Sequence, residues 1–210
     1  LHQHFIGNFN ECWVPDFDKT TNFTGKLGHL KSTSLNLKYI GILSRLEQKE
    51  LPKKYDLMVL LSGPEPQRTL LEEQLKIEVQ GYDGNIVFIN GKIEENQKIE
   101  IVNNVTFYNF MTSTELEIAF NESENILCRS GYTTIMDLVK LDKKAFFIPT
   151  PGQFEQEYLA KRLKRHGMIP YSKQEDFTIE KIEEIQLYSG FPKVKEQINW
   201  KQLLVLFERE

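Results

Sequence analysis

From Leu35 onwards, short apolar runs alternate with amphipathic stretches, and the connections between them are only a few residues long. Tyr55–Leu61, Asn85–Asn90, Val105–Phe110, Asn125–Cys128 and Ala145–Ile148 have the length and composition of strands. Helical spacing follows over about 67–79, 112–121, 133–141 and 154–166; Leu71, Leu75 and Val79 fall four apart, on one face. Strand, turn, helix, repeated, marks a parallel sheet with crossover helices. The expectation is an α/β fold, a parallel sheet of about five or six strands with helices on both faces. Leu35–Leu43 also reads as a strand, and a charged loop at Gly91–Lys98 separates two others. Gly167 stands where a helix would end in the left-handed conformation. Two further helices, near Phe177–Leu187 and Gln197–Glu208, close the chain.

Composition narrows the partners. Lys and Arg number 26 against 30 Asp and Glu, a net charge of −4. A chain built to neutralise a phosphate backbone needs a basic excess, so nucleic acid is not an expected partner. No apolar run approaches the roughly 20 residues of a membrane span. Two cysteines, Cys12 and Cys128, give no disulfide framework and suit a reducing compartment. The 210 residues suffice for one large domain, or one domain with an appendage. Residues 1–33 are polar and aromatic without period and carry Pro15, Gly25 and Gly28. They read as a tail and linker, 34–175 as the sheet domain, and 176–210 as terminal helices. The start at Leu1 rather than Met, with no signal-peptide pattern, reads as a piece of something longer.

In parallel sheets ligands bind outside the carboxyl ends of the strands, at the turns into the helices. Three such turns carry suggestive chemistry. Ser62-Gly63-Pro64-Glu65-Pro66 joins a buried strand to a helix. Gly63 lets the backbone approach a ligand closely, and a helix start offers free N–H groups to an anion. Equally, Pro66 near the first helical position makes an ordinary tight turn. Arg129-Ser130-Gly131, with Thr133 and Thr134 after it, sets a small residue and several hydroxyls at a helix start, suited to phosphate oxygens. Asp137, one helical turn later, could reach back to sugar hydroxyls; the plain alternative is an N-cap by Ser130 or Thr133. Thr150-Pro151-Gly152-Gln153 leads into a helix bearing Glu155, Gln156 and Glu157, groups that hydrogen-bond polyols or simply favour the helix dipole.

Other patterns are thinner. Asp16-Phe17-Asp18 has the spacing of a two-aspartate metal motif but precedes the sheet. His2 and His4 form a metal pair without further ligands nearby. His166 falls in the last turn of a helix, where it favours the dipole.

The segment Ile126-Leu-Cys-Arg-Ser-Gly-Tyr-Thr-Thr-Ile-Met-Asp-Leu138, then Ala145-Phe-Phe-Ile-Pro149 and Gln156-Glu-Tyr-Leu-Ala160, resembles the C-terminal domain of glycosyltransferase family 28. The resemblance runs from about Leu35 to Pro170. It implies one half of a GT-B fold, the Rossmann-like half that binds a nucleotide-sugar donor, with UDP as the expected nucleotide. Carried over by position, Ser62 and Gly63 lie near the donor diphosphate, and Arg129, Ser130, Gly131 and Thr134 at the donor turn. Asp137 stands where the family usually has a ribose-binding Glu. Gln156 matches the first of two sugar-contacting glutamines. Glu157 replaces the second, and Pro64-Glu65-Pro66 replaces a small glycine-containing loop. The implied reaction is inverting glycosyl transfer without a metal or a bound cofactor. An N-terminal Rossmann domain would supply the acceptor site, the general base and any peripheral contact with a membrane, on its cytoplasmic face. Two other classes share these residues: a donor-binding subunit of a split glycosyltransferase, and a nucleotide-sugar 2-epimerase of the same fold.

Overall fold

A computed structural model describes residues 5–18, 22–30, 32–194 and 198–205. The chain divides into two compact units, one made of the residues up to Leu43 with those from Val194, the other of Ser44–Lys193. Residues 34–43 and 176–193 thus fall on the other side of the boundaries expected at 33/34 and 175/176.

In the first unit β1 (Cys12–Val14) pairs in parallel with β2 (Leu37–Tyr39). The strand read at 35–43 is therefore short and belongs to this two-stranded sheet, apart from the large one. Asp16 organises the turn after β1: its carboxylate accepts from the amides of Phe23 (3.1 Å) and Thr24 (2.9 Å) and from the Thr24 hydroxyl. A helix at Trp200–Leu204 lies within the stretch read as helical; residues 195–197 and 206–210 are outside the described residues.

The second unit carries β3 (Tyr55–Leu60), α1 (Gln67–Glu78), β4 (Ile86–Ile89), β5 (Ile99–Val102), β6 (Val105–Tyr108), α2 (Ser113–Glu122), β7 (Ser123–Cys128), α3 (Tyr132–Lys140), β8 (Lys144–Phe147) and α4 (Phe154–Arg165). Its six strands run in the order β5-β6-β4-β3-β7-β8. All pairings are parallel except that of β5 with β6. Leu57, Val59, Leu127 and Phe146 on one face pack with Leu71 and Leu75 of α1, with Val79 just after it, and with Ile179, Ile182 and Ile185. Their neighbours on the opposite face, Met58, Val87, Ile126 and Ala145, are equally buried. Double-sided burial is why these strands read as unbroken apolar runs.

β5 went unseen in the sequence. It is an edge strand whose four residues are all exposed, joined to β6 by Asn103-Asn104 with Asn103 in the left-handed region (φ 55°). The helix expected near 177–187 is a 3-10 helix, Ile179–Leu187. Its buried isoleucines recur every third residue, the period at which a 3-10 helix stacks side chains on one face.

Gly91 fixes the carboxyl end of β4. Its φ is +69°, and a Cβ there would sit 2.4 Å from the Leu61 carbonyl oxygen. α2 begins with a capping box: the Thr112 amide donates to Glu115 Oε2 (2.7 Å) and the Glu115 amide to Thr112 Oγ1 (3.4 Å). Thr112→Ala is expected to cost about 1 kcal/mol, read as a lower urea midpoint at unchanged m; an unchanged midpoint would make the box ornamental.

Candidate functional site

The chain leaves β3 for β4 and β6 on one side, then returns to β7 and β8 on the other, so strand order reverses beside β3. Such a reversal opens a crevice at the carboxyl ends. Leu60 pairs with Cys128 and Cys128 with Phe147, so β3, β7 and β8 end in one row, and the three turns singled out in the sequence leave from it.

The first turn, Ser62–Pro66, is exposed throughout, and Gly63 has φ +104°. Behind it, Arg68 of α1 is buried, donating to Glu72 (2.9 Å) and to the Asn90 carbonyl (3.1 Å) and pairing with Glu65. Burial pushes the Glu72 carboxyl up, but hydrogen bonds from Lys76, Lys92 and Arg68 outweigh it and hold the group below its ordinary range. This network anchors the start of α1 under the turn.

In the second turn Arg129 is 1% exposed. Its guanidinium donates to the carbonyls of Ile148 and Pro149 (3.1 Å each), to that of Gln67 (3.0 Å) and to Gln174 Oε1 (2.9 Å). Burial lowers it to about 10, and its Nε finds no partner. Arg129 therefore ties three chain segments together beneath the crevice. Ser130 Oγ donates to the Gln156 carbonyl (2.8 Å) and so joins the second turn to the third. Neither Ser130 nor Thr133 caps α3; the N-cap is Gly131, without a side-chain bond. No acid occupies the first turn of α3, so its free amides face the crevice end with their dipole uncompensated. Thr134 is half-buried there.

Asp137, further along α3, accepts a hydrogen bond from Ser44 Oγ at 2.6 Å. Burial raises its carboxyl above the ordinary range, opposed by the Ser44 bond and the charge of Arg45. Ser44 and Arg45 were not singled out in the sequence: Ser44 lies 93 positions from Asp137, and no local pattern links them.

The third turn is held by the side chains expected to face a sugar. Gln156 Oε1 accepts from the Thr150 amide (2.9 Å), its Nε2 donates to Gln153 Oε1 (2.7 Å), and Glu157 Oε1 accepts from the Gly152 amide (3.1 Å). A cavity of about 180 Å³ opens beside this turn, lined among others by Pro149, Gly152, Lys161, Tyr171 and Gln174. Thr150 is buried, its hydroxyl has no partner, and it lies 3.9 Å from where a Cβ on Gly63 would be. The first and third turns thus meet across the end of β7, bringing Gly63, Arg129, Ser130 and Gln156 to one crevice.

The remaining candidates fall elsewhere. Asp16 spends its oxygens on the turn after β1, and His2 and His4 lie outside the described residues. His166 is the C-cap of α4, and Gly167 follows in the left-handed conformation (φ +69°). Among the described residues no three His, Cys, Asp or Glu are grouped to hold a metal, and no helix is long and apolar enough to cross a membrane.

Residues 64–199 match the model of the glycosyltransferase family 28 C-terminal domain. No curated protein matches the chain. Among solved structures, the glycosyltransferase of kitacinnamycin is similar at 15% identity and a TM-score of 0.53, over 71% of this chain and 41% of that one. MurG of Acinetobacter baumannii is similar at 18% identity and a TM-score of 0.47, over 67% of this chain and 44% of that one. SnogD, a glycosyltransferase from Streptomyces nogalater, gives 14% and 0.48, over 69% and 37%. This chain spans less than half the length of each. At such identities the kitacinnamycin likeness is one of fold, the Rossmann-like α/β fold of GT-B glycosyltransferases. The family match covers more than half of the chain, and on it the protein belongs to glycosyltransferase family 28, through the C-terminal domain of that family.

Proposed function

We propose that residues 44–193 bind the nucleotide-sugar donor, UDP-linked, of an inverting glycosyltransferase that works without a metal or other cofactor. One observation carries the reading: turns from three adjacent strands leave a single row at the point where strand order reverses. The acid-free start of α3 and the buried Arg129 supply positive charge there. In this reading Ser62 and Gly63 lie along the diphosphate, Gly131 and Thr134 present the start of α3 to it, and Arg129 and Ser130 hold the turns in position. Asp137 takes the ribose hydroxyls in competition with Ser44, and Gln156 and Glu157 turn outwards to the sugar. An acceptor hydroxyl attacks the anomeric carbon from the face opposite the nucleotide, the bond to the diphosphate oxygen breaks, and the acceptor proton passes to a base. The crevice stabilises the departing diphosphate. Base and acceptor site belong to a second Rossmann domain of the whole protein, which would also carry any contact with the cytoplasmic face of a membrane.

Calorimetric titration with UDP, GDP and dTDP tests this, with UDP expected to bind best; no heat from any of the three at millimolar concentration would end the reading. Asp137→Asn keeps a hydrogen-bonding side chain but removes the charge. We expect an intact fold and roughly tenfold weaker UDP binding; unchanged affinity would return Asp137 to the scaffold.

A further inference from the structure

Two buried polar groups at the crevice are left incomplete by the fold. The Thr150 hydroxyl is buried without a hydrogen-bond partner, although Thr150 is only 2% exposed. Arg129 is a buried cation whose partners are carbonyl and amide oxygens. Among the described residues no carboxylate pairs with it, and its Nε is also partnerless. Buried hydroxyls and charges are ordinarily satisfied, and each exception calls for an explanation.

The two exceptions are neighbours. Arg129 binds the carbonyls of Ile148 and Pro149, and Thr150 is the next residue. The Thr150 hydroxyl oxygen lies beside Gly63, 3.9 Å from where a Cβ on that glycine would stand. The turn over it, Ser62–Pro66, is exposed along its whole length. A group seated where the turn now closes would meet a free hydroxyl donor with an uncompensated positive charge behind it. Those are the requirements of a phosphate oxygen rather than of a neutral sugar hydroxyl.

Resting on the donor-binding reading above, we propose that Thr150 is a donor-positioning residue: its hydroxyl donates a hydrogen bond to the distal phosphate of a nucleoside diphosphate, the phosphate that carries the sugar. The assignment to the distal phosphate follows from position. The Thr150 amide is bonded to Gln156, at the sugar end of the site, while its hydroxyl lies beside Gly63, at the diphosphate. Binding beside the exposed Ser62–Pro66 turn gives the hydroxyl the partner that the fold withholds.

An unpartnered hydroxyl costs stability, so a site kept for a ligand should improve the fold when removed. The probes are UDP and UMP, titrated calorimetrically into the wild-type chain and into Thr150→Val, with the melting temperature of each unliganded protein. Thr150→Val is expected to melt at or above the wild-type temperature, to bind UDP roughly five- to twentyfold more weakly, and to bind UMP as before. Thr150→Ser and Thr150→Ala differ by the hydroxyl alone and make the same comparison should valine disturb the turn; serine should bind UDP like wild type and alanine should not. UDP affinity unchanged in both Thr150→Val and Thr150→Ala, or an equal loss for UMP and UDP, overturns the proposal while donor binding stands. A wild-type chain that binds no nucleotide overturns both.

Discussion

Arg129→Leu is expected to destabilise the protein by about 3–5 kcal/mol. The opposing contributions can be weighed. Burial disfavours the guanidinium, lowering it to about 10, so leucine gains by removing a desolvated charge. Against that, the buried carbonyls of Ile148 and Pro149 lose their donor at once, and Gln67 and Gln174 lose one hydrogen bond each. Each buried acceptor left bare costs about 1–3 kcal/mol, and the shorter leucine neither fills the space nor bridges the strands. The loss outweighs the gain. Arg129→Lys should recover little of it, because one ammonium cannot reach four acceptors spread over three segments as a planar fork does. Urea denaturation followed by far-ultraviolet circular dichroism reads both variants; a loss below about 1 kcal/mol, or full recovery with lysine, would contradict the tie assigned to Arg129.

That role also marks where the sequence stopped being informative. The parallel strands were legible because burial on both faces imposes unbroken apolar runs, as in Tyr55–Leu61. β5 was not, because Ile99, Ile101 and Val102 face solvent, where no periodicity is enforced. The three turns were legible from their small and hydroxyl residues at strand-to-helix junctions. What each side chain does there was not. Arg129 is buried and held by the oxygens of three segments; Gln156 and Glu157 close their own turn; Asp137 is met by Ser44 from a distant segment. Local spacing fixes which turn a residue belongs to, whereas side-chain partners depend on strand order, which composition does not encode. Thr150 stood in the third turn from the outset, but only its missing partner distinguishes it.

At the opposite, amino end of the sheet, the wild-type chain should gain stability relative to Lys143→Met as pH rises from neutrality towards pH 10. The ammonium groups of Lys53 and Lys143 share the same two acceptors, the carbonyl oxygens of Asn121 and Ser123, at distances of 2.8–3.3 Å. Lys143 is 7% exposed. Burial first, then the adjacent Lys53, lowers it from 10.5 to about 7, although the carboxylates of Glu124 and Asp142 pull the other way. In the unfolded chain this lysine keeps its proton until its ordinary value. Between the two values the unfolded state therefore binds more protons than the native one, and the native state gains as pH rises; below about 7 both are protonated and the contribution is flat. At about 1.4 kcal/mol for each pH unit between the two values, with Lys53 bearing part of the repulsion, wild type should gain about 2–4 kcal/mol relative to Lys143→Met over this interval. At pH 7 the methionine variant should be the more stable of the two, since Lys53 alone still serves both carbonyls and no second charge has to be buried. Urea denaturation of both proteins at pH 7 and pH 9.5 isolates the effect, because every other titrating group is common to them. Parallel pH dependences, or a methionine variant that is weaker at pH 7, would mean that the two lysines stabilise the end of α2 as a charged pair and that Lys143 keeps its proton near neutrality.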